Sequence, residues 1–214
     1  MPATATPPSA ATIAAPRVRI LQLARTHFIA HGYASCTMDD LARELGMSKK
    51  TLYLHYKSKE AIMEGVIDGI FAEARAMATA LFADRSLSFT EKLHRFTEGM
   101  TKRFTTISPQ LLRDLQRFAP KLYQHIEDMR HTHIPVIFGQ LLQQGQAAGM
   151  VRAEIDPAFA IAFWRPAIQS LMHPDALERL QLRPDQVFNQ AITLFFGGLL
   201  TPAGRKAHEK LLAR

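Results

Sequence analysis

Cysteine is almost missing from this chain, because Cys36 is the only one in 214 residues. One cysteine cannot close a disulfide within the chain, so a small secreted scaffold held by disulfides is excluded and a reducing cytosol is favoured. Long charge-free apolar runs are also scarce. The nearest is the stretch 186–204, whose polar residues and glycines favour a buried helix over a membrane span. We therefore expect a cytoplasmic protein that does not bind a membrane.

The first sixteen residues contain no charge and no apolar run long enough for the core of a signal peptide. Their proline, alanine and threonine content is typical of a disordered arm. We therefore expect the folded part of the chain to begin near Arg17.

Acidic residues are the minority charge, with 19 Asp and Glu against 26 Lys and Arg, a net charge of +7. Most of the excess lies in residues 17–59, where eight basic residues face three acidic ones, a net charge of +5 in a fifth of the chain. A segment that contacts nucleic-acid phosphates needs such a concentration of positive charge. A solvated basic face explains the same pattern and remains an alternative.

Sustained alternation of apolar and polar residues is lacking, so strands are not indicated and the sequence predicts an all-α fold. After a first helix that ends near Gly32, two short helices are predicted behind the capping residues Thr37 and Ser48. Gly46 lies between them and can adopt the positive φ that a tight turn requires. This is a helix-turn-helix, in which the second short helix lies in the major groove of DNA. A plain helical hairpin in any all-α protein is the alternative.

The second short helix is expected to present Lys49, Lys50 and Tyr53 outward, followed by His55 and Tyr56 near its end. The hydroxyls of Thr37 and Ser48, at two helix N-termini, suit phosphate oxygens.

Several runs of sequence at fixed spacing agree with a known family: Ala24-x3-Phe28-x3-Gly32-Tyr33, Thr37-Met38-Asp39-Asp40-Leu41-Ala42, Leu45-Gly46-Met47-Ser48 and Thr51-Leu52-Tyr53-x-His55-Tyr56-Lys57-Ser58-Lys59-Glu60-Ala61. Through them residues 17–64 resemble the DNA-binding domain of the TetR family of transcriptional repressors. The resemblance implies contacts to phosphate or sugar from Thr37, Tyr53, His55 and Lys59, and places Lys49, Lys50 and Tyr53 nearest the bases. Lys50 departs from many relatives, which carry Gly, Pro or Ala there, so base preference does not transfer. The complete expected set of DNA-binding residues is Thr37, Ser48, Lys49, Lys50, Thr51, Tyr53, His55, Tyr56 and Lys59.

The expected domains are a disordered arm over 1–16, a helix-turn-helix domain over 17–60 and a helical domain over 61–214. The resemblance implies that the last of these dimerises and binds a small ligand. Candidate ligand-binding residues are bulky and adaptable: Phe96, Met100, Phe104, Phe118, Trp164 and Ile168. For any single one of them, ordinary core packing is the favoured alternative, because apolar helical stripes are usually packing. Relatives pair two late helices, here near 157–172 and 185–200, and the candidate dimer residues are Val187, Ala191, Leu194, Phe195 and Gly198.

Motifs for catalysis and metal binding are absent from the sequence, which has no GxSxG, P-loop, HExxH or paired CxxC. His27 with His31, and Glu127 with His131, have a spacing that two metal ligands could use, but neither pair completes a site. We therefore expect no enzyme, no metal and no cofactor. Four histidines, His125, His131, His133 and His173, are candidates to hydrogen-bond a polar inducer group. For Cys36, packing as a small apolar residue competes with a redox role.

Taken together, the sequence predicts a homodimeric repressor that binds an inverted-repeat DNA operator and is released by a small, mostly apolar inducer. A transcriptional activator with the same fold is the nearest alternative. An all-helical enzyme and a membrane-surface binding protein are the alternatives from other classes.

Overall fold

The computed structural model describes residues 10–212, and the side chains of residues 15–211. Over this range the chain forms eleven α-helices and no β-strand, and a single isolated β-bridge joins Val151 to Leu200. The all-α prediction is confirmed. The helices are α1 Ala10–His31, α2 Met38–Glu44, α3 Lys49–His55, α4 Lys59–Ala83, α5 Phe89–Thr105, α6 Pro109–Phe118, α7 Pro120–Ala147, α8 Pro157–Leu171, α9 Pro174–Leu180, α10 Pro184–Leu199 and α11 Pro202–Leu212.

Helix α1 begins earlier than its apolar spacing predicted. It starts at Ala10 instead of Arg17 and contains Pro16. Residues 10–16, expected to belong to a disordered arm, are therefore helical, while residues 1–9 of that arm lie outside the described residues.

The chain divides into two compact units, one ending at Gly69 and the other beginning at Ile70. The division falls within α4, beyond the boundary expected at residue 60. The reason is burial: Ile62, Met63 and Val66, in the first half of α4, are buried. Secondary structure alone does not reveal the position of this boundary, because α4 continues through it without a break.

The first unit is built from α1, α2, α3 and the first half of α4. Leu41, Leu45 and Leu52 are all buried where the two short helices meet. Gly46 has a φ of +65°, a conformation that side chains with a Cβ seldom adopt, and it turns the chain between α2 and α3.

The second unit has a core lined by α5, α7, α8 and α10, with the last turns of α4 packed against them. Proline occupies the first turn of each helix from α6 to α10, where its missing N–H leaves no intrahelical hydrogen bond unmade. Helix α7 runs through Pro135 without being split. No described helix is both long and apolar enough to cross a membrane.

Candidate functional site

The two short helices are held by side-chain caps at their first turns. The Thr37 hydroxyl accepts a hydrogen bond from the backbone N–H of Asp40 at 3.1 Å, and the Asp40 carboxylate accepts one from the backbone N–H of Thr37 at 3.2 Å. The Thr37 hydroxyl also donates to this carboxylate, and that bond is the main reason why the pKa of Asp40 lies below its usual value. Ser48 caps α3 by accepting from the backbone N–H of Thr51 at 3.1 Å. Both caps lie at the surface and fix the orientation of α2 and α3.

One face of α3 is open to solvent. Lys49, Lys50 and Tyr53 are exposed on it, as predicted, while Leu52 on the opposite side is fully buried. Lys49 forms an ion pair with Asp39 of α2. Within the described part of the chain, Lys50 has no hydrogen-bond or ion-pair partner. The helix therefore presents one paired and one free cation beside an exposed phenol.

Leu54 is a surface residue that the sequence analysis missed. Its side chain is 72% exposed, more than that of Tyr53 at 45%. A leucine so exposed on a seven-residue helix has nothing to pack against within the first unit. The signal was present in the spacing, because Leu54 lies four residues after Lys50 and so on the same helical face.

Two expected DNA contacts point into the protein instead. Tyr56 is buried, and the Arg17 guanidinium lies 4.4 Å from the centroid of its ring. The Lys59 ammonium donates to the backbone carbonyls of Tyr33 at 2.9 Å and Cys36 at 3.0 Å, and lies 4.1 Å from the centroid of the Tyr33 ring. Two of the three N–H donors of Lys59 are therefore engaged within the protein, and its expected contact with phosphate stays a prediction. His55 is half-buried, and its carbonyl accepts from Arg17 at 3.1 Å.

The role of Cys36 follows from its burial near Lys59. Cys36 is fully buried, and burial raises the pKa of its thiol to about 11 although the nearby Lys59 opposes the shift. A protonated thiol is a poor nucleophile, so Cys36 acts here as a packed apolar residue. Burial, and next the Glu60 carboxylate that accepts its hydrogen bond at 2.9 Å, also raise the pKa of the Tyr33 phenol.

The candidate ligand residues in the second unit divide between core and surface. Phe96, Trp164 and Ile168 are buried in the core, and Met100 and Phe104 pack against it. Trp164 stacks on the Phe195 ring at 4.8 Å between centroids and on the Phe138 ring at 5.2 Å. Phe118 is 56% exposed and lies outside this aromatic cluster, so its expected place in an apolar pocket is wrong for this conformation.

Two cavities of the second unit lie elsewhere, and none of the six candidate ligand residues lines either. The smaller, which we call the α7–α8 cavity, measures about 110 Å³ and is lined by Gln124, Glu127, Asp128, Arg130, His131, Ile134, Arg165 and Gln169. The larger is an open groove of about 370 Å³ beside α8 and α9, lined by Pro166, Gln169, Ser170, His173, Asp175, Ala176 and Arg179. The wall of the α7–α8 cavity is mainly polar, so apolar periodicity could not reveal it, whereas the groove has a mixed wall that includes Pro166 and Ala176.

The candidate dimer residues of α10 also divide. Leu194 is 79% exposed and Gly198 is exposed, while Ala191 is half-buried. Val187 and Phe195 are buried in the core of the second unit, where they are unavailable to a second copy in this conformation. The neighbouring α8 supplies two exposed phenylalanines, Phe159 and Phe163, which the sequence analysis did not single out. Their i, i+4 spacing was the available signal.

The acidic and histidine residues considered for metal binding have other partners. Glu127 pairs with Arg130, and the Asp128 carboxylate accepts from the Gln124 side chain at 2.9 Å. His27 lies 2.7 Å from the Glu44 carboxylate. Within residues 10–212, no three His, Cys, Asp or Glu side chains gather in a group that could hold a metal ion.

The geometry of the first unit agrees with a comparison of its sequence. Residues 20–66 match the model of a family described as bacterial regulatory proteins, tetR family. Residues 20–66 form a DNA-binding domain of the TetR family of transcriptional regulators. The matched span covers α2 and α3 completely and includes the buried residues of α4 that close the first unit.

Two curated relatives extend the similarity beyond the matched domain. YvaF of Bacillus subtilis, an uncharacterized HTH-type transcriptional regulator, is 23% identical over 165 residues, covering 77% of this chain and 86% of YvaF. UidR of Escherichia coli, another HTH-type transcriptional regulator, is 23% identical over 192 residues, covering 86% of this chain and 93% of UidR. Both relatives are described as HTH-type transcriptional regulators.

A solved structure supports the fold of the whole regulator. SmeT in complex with triclosan superposes with a TM-score of 0.64 at 16% identity, covering 88% of this chain and 93% of that one. SmeT is the repressor of the Stenotrophomonas maltophilia multidrug efflux pump SmeDEF.

Proposed function

We propose that this regulator is a repressor that binds an inverted-repeat operator as a homodimer and leaves it when a small ligand binds. The observation that carries the proposal is the exposed face of α3, where Lys50, Tyr53 and Leu54 stand open beside the paired Lys49. A helix of this kind enters the major groove, where lysine reads guanine acceptors and an apolar side chain contacts the methyl group of thymine. The similarity to SmeT, itself a repressor, supports repression over activation.

The proposed contacts fall into two groups. Lys49, Lys50, Tyr53 and Leu54 face base edges, while Thr37, Ser48 and Thr51, at the capped helix starts, face phosphates. His55 lies at the edge of this surface because it is half-buried. Tyr56 and Lys59 support the domain from within.

The proposed dimer face combines α8 with α10, which pack against each other. Phe159, Phe163 and Leu194 are its exposed apolar side chains, and Gly197 and Gly198 let a helix of the second copy approach closely. Exposed large apolar residues gathered on one face are typical of an interface. A two-fold dimer places two copies of α3 about 34 Å apart, one turn of DNA.

The test begins with selection of bound fragments from the source genome, followed by gel shifts on the recovered sequence at several salt concentrations. An inverted repeat bound with a steep salt dependence supports the proposal. Lys50→Ala and Leu54→Ala should each weaken binding by about 1–3 kcal/mol and relax base preference at one position of each half-site. Arg113→Ala is the matched control, because Arg113 is exposed on α6 in the second unit.

Two results would refute the proposal. One is unchanged affinity in both α3 variants, and the other is selection of no specific sequence. Repression and activation are separated by a reporter gene behind the recovered operator: deleting the regulator should raise expression of the reporter, whereas a fall indicates an activator.

A further inference from the structure

The α7–α8 cavity contains more charge than its size suggests. Two carboxylates and two guanidinium groups line its volume of about 110 Å³, together with two glutamines, one histidine and one isoleucine. Whether a charged group of this concave site can bind a ligand depends on whether it is already paired within the protein.

Three of the four charged groups have partners. Glu127 and Arg130 form an ion pair whose side chains are only 10% and 13% exposed. The carboxylate of Asp128 accepts a hydrogen bond from the Gln124 amide. Glu127 and Arg130 therefore neutralise each other, whereas the Asp128 carboxylate has a hydrogen-bond partner but keeps its negative charge.

Arg165 is the exception. Its half-buried side chain lines the cavity from α8 and makes no hydrogen bond or ion pair with any residue in the described range 10–212. A guanidinium stays charged at any physiological pH and offers up to five donors in a planar fork. That fork matches the two oxygens of a carboxylate, which can accept two parallel hydrogen bonds from it.

From this arrangement we propose that the α7–α8 cavity binds a small molecule carrying one carboxylate, with Arg165 as its counter-charge. Gln169, on the same helix one turn beyond Arg165, supplies an amide beside it. Asp128 restricts the ligand to a single negative charge, because the second charge of a dianion such as phosphate would meet a carboxylate of like sign that no guanidinium neutralises.

The body of the ligand is apolar. Ile134 is the apolar side chain of the cavity wall, and it also packs against the core of the second unit. A ligand anchored by its carboxylate at Arg165 can place a short hydrocarbon or an aromatic ring on Ile134. This assignment rests on the proposed function, because the carboxylate would be the ligand that releases the repressor, and it replaces the mostly apolar inducer expected from the sequence.

The test compares carboxylates with their uncharged amides on the full-length protein. Butyrate, benzoate and phenylacetate are titrated by calorimetry beside butyramide, benzamide and phenylacetamide. At least one carboxylate should bind, and its amide should bind at least tenfold more weakly. The variant Arg165→Gln should weaken binding of that carboxylate at least tenfold, while Arg113→Gln, which removes an exposed guanidinium outside the cavity, should leave it unchanged.

Loss of binding in Arg165→Gln must not come from misfolding. The thermal midpoint of the unliganded variant should equal that of the parent, because Arg165 has no described partner to lose. Binding of none of the three carboxylates overturns the inference, as does equal binding of acid and amide or undiminished binding by Arg165→Gln. Inorganic phosphate binding more tightly than every carboxylate also overturns it.

The same proteins separate this inference from the proposed function. A regulator that selects an operator but ignores all carboxylates remains a repressor with another ligand. If the protein binds a carboxylate through Arg165 but selects no DNA sequence, the ligand site is supported and the proposed repressor function is refuted. If both hold, the carboxylate should release the parent from its operator, and Arg165→Gln should bind DNA normally yet stay bound.

Discussion

Single residues of the same type have opposite roles within a few positions of each other. Lys57 is exposed, whereas the ammonium of Lys59 is enclosed by two backbone carbonyls and the Tyr33 ring. Tyr53 faces solvent, whereas Tyr56 packs beneath Arg17. The family resemblance implied DNA contact for Lys59 and Tyr53, and the position of Tyr56 near the end of α3 suggested the same. Only the direction of each side chain separates the three.

Replacing Lys59 with methionine should destabilise the first unit by about 1–3 kcal/mol, since two carbonyls lose a charged donor while the aliphatic stem is kept. Urea unfolding followed by circular dichroism measures the change. Lys57→Met removes the same charge two residues earlier and should leave stability unaltered. Equal stability of Lys59→Met and the parent would show that the enclosure contributes nothing.

At the scale of elements, α2 and α3 are joined by charge as well as by packing. Lys49, the first residue of α3, pairs with Asp39 of α2, and both side chains are more than half exposed. An exposed pair contributes only about 0–1 kcal/mol to stability. Its larger effect concerns DNA, because Lys49 must give up Asp39 before it can bind a base or a phosphate.

The substitution Asp39→Asn should therefore strengthen operator binding at low salt, by up to about fivefold given an exposed pair of 0.2–1 kcal/mol. The gain should shrink as salt rises, because salt already screens the pair. Glu64→Gln on α4 removes an equal charge from the same unit and controls for net charge. If both variants gain equally, the effect belongs to overall charge and not to release of Lys49.

Helix α11 provides a second effect at the element scale. Burial lowers the pKa of His208 on α11, and the nearby His94 of α5 contributes in the same direction. Burial similarly lowers the pKa of His133 on α7, with Arg75 of α4 adding to the shift. A histidine whose folded pKa is lowered takes up its proton more readily when unfolded. The stability that it contributes is present above about pH 6.5 and is lost as the pH falls below that value.

The free energy of unfolding of the second unit should accordingly decrease between about pH 7.5 and about pH 5.5. His208→Gln should flatten this dependence, whereas His131→Gln, at an exposed position of α7, should not. Urea titrations at the two pH values provide the measurement. A parent protein equally stable at both would contradict the assignment for His208 and His133.

At the scale of the whole molecule, the proposed dimer decides whether two copies of α3 can reach one duplex. The proposed face presents Phe159 and Phe163 from α8 and Leu194 from α10, all more exposed than apolar residues of a closed monomer core. Val187 and Phe195, although on the same helix as Leu194, are already used by the core.

The double substitution Phe163→Asp and Leu194→Asp should give a folded monomer, because it places charge on the interface without touching the core. Sedimentation velocity reports the mass, and circular dichroism the fold. Val136→Asp changes an exposed apolar residue of α7 outside the face and should leave the dimer intact. If the double variant is still a dimer, the interface lies elsewhere on the protein.

The sequence determined the elements of this regulator. Thr37 and Ser48 cap α2 and α3 as predicted, Gly46 makes the turn, and prolines open the later helices. These features act through hydrogen bonds and backbone preferences within a few residues, so one stretch of chain contains all the information they need.

Tertiary structure decided the direction in which each side chain points. Lys59 is enclosed by carbonyls 23 and 26 residues away, Phe195 meets the Trp164 ring of another helix, and Arg165 meets α7 across a polar cavity. Helical periodicity states only which residues share a stripe. Whether that stripe meets the core, a ligand, DNA or a second copy depends on contacts between distant parts of the chain, which no local pattern encodes.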